Sequence, residues 1–180
     1  MNPATLLDAA RFAANAHHGQ ARKGSADIPY VDHVLDVAHR LAEVHPEDEV
    51  LILAGLLHDT VEDCDVTRAD IAARYGDPVA DLVMEVTDDT SLPRAERKAA
   101  QEAHVRHASD AAKRLKMADK AANLTAIART PPDWPKARKA EYVDWALRVI
   151  DPVRGLDPAL EAGFDEAVAE ARAMIATLDD

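Results

Sequence analysis

Apolar residues recur along most of this chain at the three- and four-residue spacing of helices buried on one face. From Ala4 to His17 the stripe is Leu6, Ala9, Ala10, Ala13 and Ala14, with a stop available at Gly19. A second helix opens at Pro29 and Tyr30 and turns Val34, Val37, Ala38 and Leu41 inward. Glu47 to Glu62 reads as a central helix built on the apolar run Leu51–Leu57. Thr67, with Asp70 three residues on, has the form of a capping box for a helix through Tyr75, stopped by Gly76. The next starts at Asp77 or Pro78, buries Val79, Leu82, Val83 and Val86, and runs into Thr87-Asp88-Asp89. From Pro93 to about His107 the faces are mostly polar, which predicts a surface helix with His104 and His107 toward solvent. Asp110 is placed to cap a long helix, Ala111 to about Arg129, with Leu115, Ala118, Ala122 and Ile127 inside and a stop at Pro131-Pro132. Trp134–Ile150 is another helix, anchored by Tyr142 and Trp145. A turn over Pro152–Asp157 leads to a last, Ala-rich helix ending near Leu178. The pattern predicts an all-α fold, a compact bundle of about eight to nine helices with no substantial sheet.

Composition agrees with this. The 180 residues suit one domain, 1–180. Aromatic residues are only 4%, so the core has to come from Ala, Leu, Val and Ile, which favours packed helices. The net charge of -12 argues against a general DNA, RNA or anionic-membrane surface. It leaves room for an anionic small ligand in a local basic pocket. Cys64 is the one cysteine and can form no internal disulfide, which fits a reducing compartment. Its carboxylate neighbours disfavour a thiolate. The N-terminus has no basic stretch followed by an apolar one, and no apolar run approaches the ~18 residues of a membrane span. The expected location is the cytoplasm.

The chemistry gathers at the end of the central helix, in His58-Asp59-Thr-Val-Glu62-Asp63. On a continuous helix His58 stands over Glu62 and Asp59 over Asp63. Three carboxylates and an imidazole on an apolar helix are costly unless a cation joins them. A divalent metal is the simplest candidate, and this donor set suits Mn, Fe or Zn better than Ca or Mg. Asp119 and Asn123 lie one turn apart within an inward-facing helix, where an aspartate needs a metal, a cation or solvent. Lys116 and Lys120 stack at the same interval. Arg22-Lys23-Gly24-Ser25-Ala26-Asp27 is a short polar loop whose paired cations suit an anion. Taken alone, an ordinary solvated loop fits it better, and His33, at the edge of its stripe, fits a boundary residue better than a ligand.

Several motifs occur together, in order: Ala-His-x-Gly-Gln-x-Arg-Lys (16–23), Pro-Tyr-x-x-His (29–33), Leu-Leu-His-Asp-Thr-Val-Glu-Asp (56–63), Glu-Val-Thr-Asp-Asp (85–89) and Lys-x-Ala-Asp-Lys-x-x-Asn-Leu (116–124). This set resembles the HD-domain hydrolases of the RelA/SpoT type. With Glu-Tyr-x-x-Trp-Ala (141–146) and no synthetase-sized extension, the chain is most similar to the stand-alone, animal-type small alarmone hydrolases. The resemblance covers about 5–150 and leaves 151–180 as a helical extension.

The resemblance implies one Mn²⁺ held by His33, His58, Asp59 and Asp119. It implies that Glu62 and Asp63 orient and deprotonate the attacking water. Arg22 and Lys23 are then nucleotide contacts, Asn123 a ribose contact and Tyr142 part of the cleft wall. The implied reaction removes the 3′-pyrophosphate from guanosine tetra- or pentaphosphate, (p)ppGpp. Its rivals are a phosphatase acting on the 2′-phosphate of NADPH or another nucleotide on the same site, and a module that binds alarmone without cleaving it. Oligomeric state is left open. The chain departs from the family pattern at Asp32, Val34 and Thr125, the last standing where the family usually has Arg beside the cleft.

Overall fold

The computed structural model describes residues 2–179. Its α-helices are α1 (Pro3–Ala16), α2 (Val31–Val44), α3 (Glu49–Leu57), α4 (Thr60–Asp63), α5 (Arg68–Tyr75), α6 (Asp77–Val86), α7 (Arg94–His104), α8 (Asp110–Arg129), α9 (Lys136–Ile150) and α10 (Pro158–Ala176). The four-residue α4 is a broken-off last turn of α3, so nine helices remain once the two are taken together. The all-α expectation holds.

Every residue of α3 from Leu51 to Leu57 is buried, as expected for a helix surrounded by others. It crosses α2 closely at Gly55, where an added Cβ would come within 2.9 Å of Leu41 Cδ1 and 3.2 Å of the Ala38 Cα. Around α3 lie α1, α2, α6 and α8, and α10 packs along α8. Phe164 of α10 is fully buried. The last helix, α10, thus covers the core on that side. The capping box of Thr67 and Asp70 is present, and so is the stop at Gly76.

Four local expectations are corrected. The central helix does not run unbroken from Glu47 to Glu62: it stops at Leu57 and resumes at Thr60. The His58 ring donates through Nδ1 to Gly55 O (2.9 Å), and Thr60 Oγ1 donates to Leu57 O (2.7 Å). Side chains thereby take carbonyls that the helical ladder would use, which bends the helix. The Arg22–Asp27 segment is no loose loop but part of a small antiparallel hairpin, β1 (Ala21–Arg22) and β2 (Ser25–Pro29), pairing Ala21 with Pro29 and Arg22 with Ser25. Its turn depends on Gly24, whose φ is +85° and whose missing Cβ would sit 2.8 Å from the Trp134 Nε1. Pro29 closes β2, so α2 opens only at Val31. Finally, the cap of α8 is Ser109, whose side chain accepts from Ala112 N; Asp110 is the first helical residue.

The polar helix α7 has no buried residue, and His104 and His107 are exposed, as the pattern predicts. Among the described residues no helix is long and apolar enough to cross a membrane.

Candidate active site

The break at His58-Asp59 lines a cleft of about 400 Å³. Three helices deliver acidic and imidazole groups there. His33 comes from the first turn of α2, His58 and Asp59 from the break, and Asp119 from the middle of α8. His33, His58 and Asp119 each offer an atom within 4.8 Å of the others, and all three are buried. His33 Nε2 is 3.3 Å from Asp119 Oδ1 and 3.5 Å from Asp59 Oδ2. His58 Nε2 is 3.1 Å from Asp59 Oδ2 and 4.0 Å from Asp119 Oδ1. The four residues expected from the resemblance to bind metal therefore converge.

The donor set fits a divalent cation, and one observation makes the point. With its Nδ1 donating to Gly55 O, His58 presents Nε2 as a bare lone pair. That Nε2 is buried and has no hydrogen-bond partner, since its approach to Asp59 lacks hydrogen-bond geometry. A cation at this point satisfies the imidazoles and carboxylates together. The field in the site has the same sense. Burial pulls the His58 pKa down, but Asp59 and then Asp119 outweigh it and leave it raised. Burial pushes Asp59 up, yet the imidazoles of His58 and His33 hold its carboxyl well below the usual range. Asp119 is likewise held low against burial, chiefly by Lys120.

The Asp59 and Asp119 carboxylates have further partners. Tyr30 OH donates to Asp59 Oδ2 at 2.7 Å, and His17 stacks on the Tyr30 ring at 4.6 Å. Lys120 Nζ donates to Asp119 Oδ2 at 2.9 Å, and Asn123 Nδ2 to Asp119 Oδ1 at 2.7 Å. Lys120 also lies over the Trp145 ring at 4.4 Å.

Glu62 and Asp63, in α4, line the same cleft. Glu62 Oε2 accepts from Asp88 N at 3.2 Å, and its Oε1 lies 3.4 Å from Arg97 Nη1. Burial, then the neighbouring Asp88, raise its pKa. The break alters the stacking expected on a continuous helix, although Asp63 N still bonds to Asp59 O at 2.9 Å.

Arg22 donates through Nη2 to Asn123 Oδ1 and lies over the Tyr30 ring, 5.3 Å from its centre. Lys23 lines the same cleft. Tyr142 stands in the cleft wall between Trp134 and Trp145, and burial pushes its hydroxyl up to about 12. All ten residues singled out from the sequence thus border one cleft. Thr125 does not line it: its Oγ1 accepts from Arg40 of α2 at 3.0 Å.

Sequence reasoning assigned no role to Tyr30, His17, Lys120, Asp88 or Arg97. Tyr30 and His17 lie inside two of the quoted motifs, and Asp88 inside a third, so a signal existed. Arg97 lies in none of them. Cys64 is part-buried, with its thiol pKa raised by burial and then by Asp63, as its neighbours suggested.

Comparison with known proteins places these features in a family. Residues 9–145 match the HD domain family. The chain is 43% identical over 164 residues to the guanosine-3′,5′-bis(diphosphate) 3′-pyrophosphohydrolase of Xenopus tropicalis, covering 90% of this chain and 92% of that one. It is 44% identical over 160 residues to the human protein of the same name, covering 88% and 89%. The solved structure of a metazoan ortholog of SpoT that hydrolyses ppGpp superposes with a TM-score of 0.86 at 38% identity, covering 94% of this chain and 97% of that one.

Proposed function

This chain belongs to the HD domain family, and from that premise we propose that it is a metal-dependent phosphohydrolase that removes the 3′-pyrophosphate of (p)ppGpp, giving GDP or GTP and pyrophosphate. The observation that carries the reading is the convergence of His33, His58, Asp59 and Asp119 beside Glu62 and Asp63 in a cleft also lined by cations. Arg22, Lys23, Arg94, Lys98, Lys116 and Arg138 all line it. A nucleotide carrying several phosphate groups suits a cleft lined in this way.

His33, His58, Asp59 and Asp119 are the residues we assign to the metal; the donor set suits Mn, Fe or Zn, and Mn²⁺ is the ion the family resemblance implies. When bound, such an ion neutralises phosphate charge and makes water more acidic. Glu62 and Asp63 accept the proton of the attacking water. The raised pKa of Glu62 supports its part, because a carboxylate of higher pKa takes a proton from water more readily. Water adds to phosphorus, the bond from that phosphorus to the ribose 3′-oxygen breaks, and the oxygen leaves protonated on the nucleoside. Arg22 and Lys23 hold the nucleotide, Asn123 approaches the ribose, and Tyr142 closes the wall. The cytoplasmic location expected from the sequence belongs to this reading.

Incubating Mn-loaded protein with ppGpp, pppGpp and NADPH, and resolving the products by ion exchange, tests it. Pyrophosphate and GDP in equal amounts from ppGpp are expected. Inorganic phosphate from NADPH alone would move the activity to the 2′-phosphate of that nucleotide, and no product from any of the three would leave a binding module.

A further inference from the structure

We propose that Arg97 is a positioning residue for the hydrolytic step, reaching from α7 to aim the Glu62 carboxylate into the cleft. The inference rests on the reading of Glu62 as an acceptor of the water's proton and names what holds that acceptor in place.

Each Glu62 oxygen has its own partner. Oε2 accepts from Asp88 N at 3.2 Å, and Oε1 faces Arg97 Nη1 at 3.4 Å. Asp88 is itself tied to α7, because Gln101 Nε2 donates to its Oδ2 at 2.5 Å. Arg97 and Gln101 are one turn apart on one face of α7. This helix therefore reaches Glu62 twice, once through the guanidinium and once through the loop that carries the Asp88 amide. A glutamate held at one oxygen can still swing. Held at both, it keeps a free lone pair on each for water.

The character of α7 points the same way. It has no buried residue, so it contributes little to the core. It docks through polar contacts: Lys98 to Glu141 at 2.8 Å, Arg148 to Glu102 at 3.2 Å, and Trp145 Nε1 to Lys98 O at 3.4 Å. The face it offers to the cleft holds Arg94, Arg97, Lys98 and Gln101. Arg97 Nε is buried with no protein partner, whereas an arginine serving only to staple the fold uses that donor too. Arg94 lines the same cleft and is left to meet phosphate. Arg97 is engaged with the base.

A double-mutant cycle on Mn-loaded protein tests this, with ppGpp as substrate and bound Mn, melting temperature, kcat and KM measured for each variant. Arg97→Ala is expected to lower kcat by roughly 10- to 100-fold, the order of effect of a misaimed catalytic group. KM, bound Mn and melting temperature should stay near wild type, and Arg97→Lys should recover part of kcat. In the Glu62→Gln background, Arg97→Ala should cost nothing more. An unchanged kcat in Arg97→Ala, an equal loss of kcat in both backgrounds, or a rise in KM without a fall in kcat would each overturn the proposal; the last two would make Arg97 a direct substrate contact. Failure of the underlying reading shows separately: Glu62→Gln alone would then keep wild-type kcat, and the base would lie elsewhere.

Discussion

Tyr30 donates its hydroxyl proton to Asp59 Oδ2 at 2.7 Å, the same oxygen that lies 3.1 Å from His58 Nε2 and 3.5 Å from His33 Nε2. The tyrosine thus fixes the direction of a carboxylate assigned to the metal. It is buried, with its hydroxyl pKa raised by burial and then by Asp59, so it remains a donor at all ordinary pH. Tyr30→Phe keeps the ring stacked on His17 and removes only this bond. Partners of this kind typically contribute 10- to 100-fold in metal affinity, so Mn binding should weaken by roughly that factor. Calorimetric titration of the two proteins with Mn²⁺ checks it; equal affinities would remove Tyr30 from the support of the site.

Metal removal should loosen the fold as well as stop the reaction, because the assigned ligands come from α2, the break after α3, and α8. A ligand at a hundred times its Kd stabilises by about 2.7 kcal/mol. For a chain of this size that is roughly 5–10 °C in Tm. EDTA-treated protein should show that fall and no activity, both reversed by Mn²⁺. Asp119→Ala should show the low Tm with or without added metal. Stoichiometric Mn in purified Asp119→Ala would take Asp119 off the ligand set.

The hairpin should act on substrate affinity more than on metal. Lys23 lines the cleft and makes no bond to the assigned ligands, whereas Arg22 touches Asn123, which in turn bonds to Asp119. Lys23→Ala should raise KM for ppGpp about tenfold or more, in line with the ~1.5–3 kcal/mol of a hydrogen bond to a charged group, and leave bound Mn unchanged. Steady-state kinetics alongside metal analysis decides this. A wild-type KM would make the residue part of a solvated turn.

Far from the cleft, the C-terminal helix is pinned by Asp157, whose Oδ2 meets His45 Nε2 at 2.5 Å and Arg114 Nε at 3.1 Å. Burial raises the Asp157 pKa, but His45, the Leu160 amide and Arg114 outweigh it and leave it below 3.8. A depressed carboxyl pKa stabilises the fold above the unfolded value, and that contribution is lost as pH falls through the folded one. Asp157→Asn should therefore cost about 2 kcal/mol at pH 7, and the gap to wild type should close below about pH 4. Urea titrations across this range measure it. A gap constant down to pH 3 would show that shape, and not charge, is what the position needs.

Much of this molecule was legible because its helices carry long apolar stripes. Val34, Val37, Ala38 and Leu41 were assigned inward from spacing alone and are buried. His58, Asp59 and Asp119 stand out because a buried aspartate and an acidic helix end each demand a partner, whereas His33 joins them only through the family resemblance. What escaped depends on contacts that periodicity does not encode. The break at His58-Asp59 comes from two side chains bonding to Gly55 O and Leu57 O, which no hydrophobic pattern records. The hairpin rests on few residue pairs and a tight approach of Gly24 to Trp134. Arg97 sits on a helix that looks like an ordinary solvated surface, and only its distance to Glu62, 35 residues away, gives it meaning.

The central claim is that this cleft turns over a guanosine 3′-diphosphate group, and kcat/KM measures that most directly. Mn-loaded protein should hydrolyse ppGpp with a kcat/KM in the enzymatic range, about 10⁴–10⁸ M⁻¹s⁻¹, and at least about tenfold above its value for NADPH in the same preparation. A ppGpp value far below that range, or a preference for NADPH, would contradict the account.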